Sequence, residues 1–237
     1  MYRLKENNWK GIFLIGATAC LLAGCSGKDK SASTSFDPEN IFFDYKISGR
    51  ETDDNLTVLL QFRDGGEEGD AISVAEWGKV TLDGEILAGD STKRTGFFYE
   101  AHKPAANFSG KHIITLAGGD NEEYKEDFTF ERVELITPIP DTLTRDELVL
   151  EFQGLEPEDY LRVLILDTSI VNDGINRVDT LKNGRLIITK EDFENLDSGP
   201  IQLLFFRELE KPTKTSTNRG GRWLITYSLG REFFLKD

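Results

Sequence analysis

His102 and His112 are the only histidines of this 237-residue chain, and Cys20 and Cys25 its only cysteines, so few side chains are available for nucleophilic or general-base chemistry. A hydrolytic triad needs an imidazole hydrogen-bonded both to a nucleophile and to an orienting carboxylate. The two histidines fall in different expected elements, and no Gly-x-Ser-x-Gly elbow presents a serine. They read as solvent-exposed loop and strand residues, and their spacing matches no metal-ligand pattern. Carboxylates are abundant, with 42 Asp and Glu. At that density, acid pairs at glycosidase separation arise by chance, and none carries a sequence signature. Asp64-Gly65-Gly66-Glu67-Glu68-Gly69-Asp70 has oxygens enough for Ca²⁺ but lacks the spacing of a calcium hand, so it reads as a solvated acidic loop. Asp120-Asn121-Glu122-Glu123 and Asn172-Asp173-Gly174 read the same way. No catalytic residue, metal or cofactor is expected.

The chemistry that does stand out lies at the N-terminus. Arg3, Lys5 and Lys10 precede a run from Gly11 to Ala23 that is apolar apart from Thr18, and Ser26 to Ser35 is small and polar. That order is a secretory signal. The run is too short to span a hydrocarbon core of about 30 Å as a helix rising about 1.5 Å per residue. Leu22-Ala23-Gly24-Cys25 resembles the lipobox of bacterial lipoproteins. The resemblance implies that the Cys25 thiol receives a diacylglycerol, that the bond before it is cut, and that the new amine is acylated. Several acyl chains on one residue hold a protein on its membrane, where a single chain would not. Ser26 after Cys25, by similarity to enterobacterial sorting, implies the outer membrane. Lys28-Asp29-Lys30 only faintly resembles the surface-export signal of Bacteroidota lipoproteins, so both the periplasmic and the cell-surface face stay open.

Cysteine use then constrains the rest. Cys20 lies in the removed segment and Cys25 is consumed by lipid, so the mature body has no disulfide, no zinc-thiolate site and no cysteine nucleophile. Cleavage removes 24 residues with three basic and one acidic side chain, taking the formal net charge from −14 to −16. Such a body is repelled by phosphate backbones, which excludes nucleic acid as a partner. Repulsion from anionic lipid headgroups holds it off the bilayer on its tether.

The elements that must carry any site are strands. Ile41, Phe43, Tyr45 and Ile47 alternate with polar or second-face residues, as do Leu56, Val58, Leu60 and Phe62. Asp83-Gly84 and Asn183-Gly184 suit type I′ hairpin turns. Further strands are expected at 95–100, 111–116, 124–135, 147–153, 160–166, 176–181, 185–189, 201–209, 223–229 and 231–235. Thr137-Pro138-Ile139-Pro140 interrupts the pattern, since neither proline can donate to a ladder. One short helix is expected where Thr189 caps an acidic first turn and Ser198-Gly199-Pro200 stops it. The expected organisation is a signal peptide (1–24), a polar tether (25–37) and two tandem immunoglobulin-like antiparallel β-sandwiches, 38–136 and 137–237, in an all-β fold. Gly184 to Thr189, the capped turn and Ile201 to Arg207 resemble a segment of two-domain immunoglobulin-like lipoproteins of Bacteroidota, which implies an adhesive or accessory role.

Three surface features complete the reading. Arg207, Lys211, Lys214, Arg219 and Arg222 fall within 16 residues holding only Glu208 and Glu210 as acids. The Thr-, Ser- and Lys-rich stretch between Glu210 and Gly221 predicts a mobile loop, able to capture an anionic glycan or an acidic protein face. Phe42-Phe43, Phe97-Phe98-Tyr99, Phe205-Phe206 and Phe233-Phe234 place adjacent rings on opposite faces of a strand, so one ring of each needs a cover: the second domain, a partner or a sugar. Trp77 and Trp223 read as core residues. Asp90-Ser91-Thr92, Asp141-Thr142-Leu143 and Asp179-Thr180-Leu181 resemble the O-glycosylation acceptor of exported Bacteroidota proteins, which implies Ser91, Thr142 and Thr180 as exposed loop hydroxyls. The function expected is a non-catalytic, lipid-anchored outer-membrane subunit that binds or scaffolds an envelope protein. The alternative is a glycan-binding lipoprotein serving polysaccharide capture, and the third reading is a hydrolase.

Overall fold

The computed structural model describes residues 37–118, 122–156, 159–167 and 174–237. The signal segment, Cys25 and the tether up to residue 36 lie outside the described residues, as do Asp120, Asn121, Asn172 and Asp173. The described chain is all-β. Its strands are β1 (Ile41–Arg50), β2 (Asn55–Asp64), β3 (Ala71–Ile72), β4 (Gly78–Leu82), β5 (Glu85–Ile86), β6 (Gly89–Thr92), β7 (Gly96–Pro104), β8 (Gly110–Gly118) and β9 (Glu123–Phe130). They continue with β10 (Glu134–Leu135), β11 (Thr142–Leu143), β12 (Leu148–Gln153), β13 (Tyr160–Leu166), β14 (Ile175–Thr180), β15 (Arg185–Ile188), β16 (Gly199–Thr217) and β17 (Gly220–Leu235). One helix, α1 (Lys190–Glu194), crosses from β15 to β16 behind a capping box in which Thr189 and Asp192 satisfy each other's backbone N–H. Both sequence-marked turns take the mirror-image geometry: φ is 53° and 83° at Asp83 and Gly84, and 53° and 74° at Asn183 and Gly184.

A ten-stranded sheet runs β14-β13-β16-β17-β1-β2-β7-β6, with β11 on β17 and β3 on β2. Two smaller sheets, β5-β4-β8-β9 and β10-β12-β15, cover one face of it. The alternation of β17 shows this directly. Trp223 meets Phe128 of β9 with ring centroids 4.4 Å apart, and in the same parity Phe233 meets Phe193 of α1 at 6.3 Å. On β16, Phe205 meets Phe152 of β12 at 5.1 Å. Between the two small sheets this inner face turns polar. Arg207 reaches Asp159 at 3.2 Å, while its Nε and the Tyr227 hydroxyl are buried without a protein partner.

Strand pairing crosses the division expected at Thr137–Pro140 in both the large sheet and one small one, where β10, before the prolines, pairs with β12 beyond them. β17 pairs antiparallel with β16 and parallel with β1, and so joins strands from both sides of the prolines. The long β16–β17 hairpin is what makes this so. The loop expected between Glu210 and Gly221 is instead paired backbone, with a turn at Asn218 and Arg219 and one irregularity between Pro212 and Thr217. Thr213 and Thr217 are buried there, and the Thr217 hydroxyl donates to the Ile41 carbonyl. A polar composition reads as loop only while its hydrogen-bond partners are unknown.

Candidate functional site

With one face of the large sheet covered, the other is open over β13, β16 and β17 and over the Ser48 and Thr57 ends of β1 and β2, whereas Phe42, Asp44 and Gln61 farther along are buried on it. Strand register arranges its side chains in rows. One row crosses Tyr160, Glu208, Thr226, Ser48 and Thr57, and its neighbour crosses Arg162, Phe206, Ser228 and Arg50. A groove of about 340 Å³ lies along the centre of these two rows. Toward the β14 end of the strands the face becomes apolar: Leu204 lies over Gly230, and Leu166, Pro200 and Phe234 line a hollow of about 530 Å³ rimmed by Asp141, Asp167 and Glu232. A third hollow of about 510 Å³ shares Gln202 and Glu232 with it, and Phe206, Ser228 and Arg50 with the groove. The three form one trough along the hairpin.

The five cations of the sequence cluster do not converge. Arg207 and Lys211 point into the molecule, Arg222 points to the open side, and Lys214 and Arg219 are exposed at the hairpin tip. Burial, reinforced by Arg207 and Lys214, pushes the Lys211 ammonium below its usual range. Arg222 is occupied by Asp44 at 3.0 Å and by Glu67, and Arg219 Nε donates to Asn40 at 2.7 Å. Ser91, Thr142 and Thr180 are all exposed, but they sit on β6, β11 and β14 rather than in loops. Thr180 ends the strand expected at 176–181, whereas β6 and the two-residue β11 look loop-like in sequence because little of them is buried.

The histidines are also strand residues. Thr57 Oγ1 lies 3.3 Å from His102 Nδ1, whose Nε2 lies 2.8 Å from Glu100. This hydroxyl–imidazole–carboxylate line lies flat on the sheet surface, with the His102 side chain 62% exposed. His112 is held between Asp83 and the Phe108 carbonyl, both at 2.8 Å, and its ring stacks on Phe108. Among the described residues no group of three or more His, Asp or Glu is placed to hold a metal ion, the 64–70 loop included. In that loop Glu67 pairs with Arg222, and the Gly69 carbonyl accepts from Arg63 at 3.2 Å.

Of the aromatic pairs, Phe43, Tyr99, Phe205 and Phe233 are the core members. Phe42 is buried as well, whereas Phe206 stays half-exposed and Phe234 is 46% exposed, both on the open face. Trp223 is fully buried and Trp77 half-buried. Sequence reasoning passed over two buried acids, Asp44 and Glu126. Asp44 accepts from Arg63 and Arg222 at 3.0 Å and lies 3.3 Å from Lys46. Burial raises its carboxyl, but the three cations outweigh burial and hold it below the usual carboxylate range. The signal was present as one acid on the polar side of an apolar strand, with nothing to show which cations would reach it.

No protein-family model and no curated protein matches the chain. Among solved structures it is similar to the two immunoglobulin domains of DIP-gamma, at 8% identity and TM-score 0.24, over 78% of this chain and 94% of that one. It is similar to titin domains A168–A169 at 10% identity and TM-score 0.24, over 83% and 97%. It also matches the Yersinia pseudotuberculosis adhesin InvE at 12% identity and TM-score 0.21, over 81% and 59%. Scores this low decide nothing about the topology, which rests on the strand pairing itself.

Proposed function

We propose that this chain is a non-catalytic, lipid-anchored protein of the outer membrane, tethered through Cys25, that serves a cell-envelope complex as a binding or scaffold subunit. The observation that supports a protein partner is the apolar end of the open face. Among the described residues, Pro200 and Phe234 stand exposed there beside partly buried Leu166 and Leu204, inside a rim of Asp141, Asp167 and Glu232. An apolar centre with a charged rim is the make-up of a protein interface, and this rim fits a partner whose own rim is basic. Among the described residues no helix is long and apolar enough to cross a membrane, so in this reading the acyl chains do the anchoring.

Affinity purification from detergent-solubilised membranes, run in parallel on the native chain and on Phe234→Asp, tests the reading. The expected result is an outer-membrane protein recovered at stoichiometric ratio with the native chain and lost with the variant. Recovery of the same proteins with both chains, or of none with either, overturns it.

A further inference from the structure

We propose that the polar part of the open face is a carbohydrate site that takes an uncharged, extended pyranose polymer laid across the strands. The proposal rests on the reading of this face as the binding surface, but it concerns different residues from the apolar end.

Three features of the groove support it. Charged Arg50, Asp53, Arg207 and Glu208 line the groove together with the hydroxyls of Ser48, Thr57, Thr226 and Ser228, which both donate and accept, and sugar hydroxyls have the same dual character. Two aromatic rings lie in the two rows, Tyr160 at the β13 end and the partly buried Phe206 among these hydroxyls, where the C–H face of a pyranose can stack on it. The row also has a fitting repeat. Adjacent strands lie about 4.8 Å apart, close to the rise of one pyranose unit in an extended chain, so successive sugars meet successive strands from β13 to β2.

Charge selects a neutral polymer. Glu208 is paired with Arg162 at 2.8 Å, and the formal net charge of −14 repels uronic-acid chains. The volume of about 340 Å³ lies within the range of small-ligand sites.

The test is affinity electrophoresis of the full chain, purified in detergent, through gels containing soluble β-glucan, α-mannan, xylan or starch. The expected result is retardation by at least one of the four, weakened about tenfold by Phe206→Ala, as fits the loss of a stacking ring, and weakened also by the double variant Ser48→Ala, Thr57→Ala. Phe234→Asp is expected to bind the polysaccharide like the native chain. The serine and threonine variants guard against misfolding, because both substitutions leave the inner face intact. Retardation by none of the four, or retardation that survives both sets of substitutions, overturns the proposal. If the polysaccharide result fails while Phe234→Asp still releases a partner protein, the proposed function stands and the carbohydrate site does not.

Discussion

Trp223 Nε1 donates to Glu126 Oε1 at 2.9 Å in the buried centre of the first half, and the same carboxylate accepts the backbone N–H groups of Lys214 at 3.1 Å and Thr215 at 2.8 Å. A strand of one small sheet is thereby tied to both arms of the long hairpin, at the place where the hairpin departs from regular register. Glu126→Leu leaves one buried and two part-buried donors without their acceptor. That costs about 3 kcal/mol and lowers Tm by about 6–12 °C in a chain of this size. Calorimetry checks it, and Glu126→Gln, which keeps one acceptor oxygen, is expected to lose about half as much. Equal melting of all three proteins would mean that the carboxylate holds nothing.

Asp44 sets an acid limit on stability. Its folded-state carboxyl titrates lower than in the unfolded chain, so the stabilisation is fully present above the unfolded value of about 3.9 and is lost as pH falls through the folded one. Chemical denaturation between pH 6 and pH 3 is expected to show a steep loss below about pH 4. Asp44→Asn should flatten that slope. It should also remove about 3 kcal/mol at pH 7, because three cations lose their shared carboxylate. A variant with the native acid slope would locate the titration elsewhere.

Gly221 faces Phe43 across the parallel β17–β1 pairing, and a Cβ there would stand 2.8 Å from the Phe43 Cβ and 2.9 Å from its carbonyl oxygen. Gly221→Ala must push two central strands apart, at a cost of about 2–3 kcal/mol. Urea unfolding followed by tryptophan fluorescence is expected to show a lower midpoint in a single transition, because β17 belongs to both halves. Two separated transitions would contradict the shared sheet.

For the anchor, Cys25→Ser is expected to leave the precursor uncut at that bond and without acyl chains. Intact mass spectrometry reads this as the loss of the lipid increment and retention of the first 24 residues. An unchanged mature mass would exclude lipidation at Cys25.

The parts of the fold legible in the sequence were those written in local code. Asp83-Gly84 and Asn183-Gly184 announce their turns because few residues tolerate positive φ twice in succession. Thr189 announces α1 because a cap acts within three residues. The inward sets of β1 and β2 follow from period two. What stayed hidden depends on distant partners. The stretch 210–221 is strand only because Glu126 and Ile41 satisfy its polar groups from 88 and more residues away. Nor does alternation show which of two faces finds a cover, so Phe206 and Phe205 look equivalent until the small sheets are placed. The open groove is invisible for the same reason, since Ser48, Thr57 and Thr226 become neighbours only through register.

The pairing of β1 with β17 joins residues up to 178 positions apart. Such distant pairing is slow to form, and here it also fixes an order of events. A chain made from its N-terminus presents β1 long before β17, so β1 waits for the rest of the large sheet before its second edge is filled. Until then β1 offers an unpaired edge with Phe43, Tyr45 and Ile47 beside it, open to pairing with another chain. It follows that the protein is not modular. Cutting at Pro140 to isolate a minimal domain parts β1 from β17 and opens the middle of the sheet.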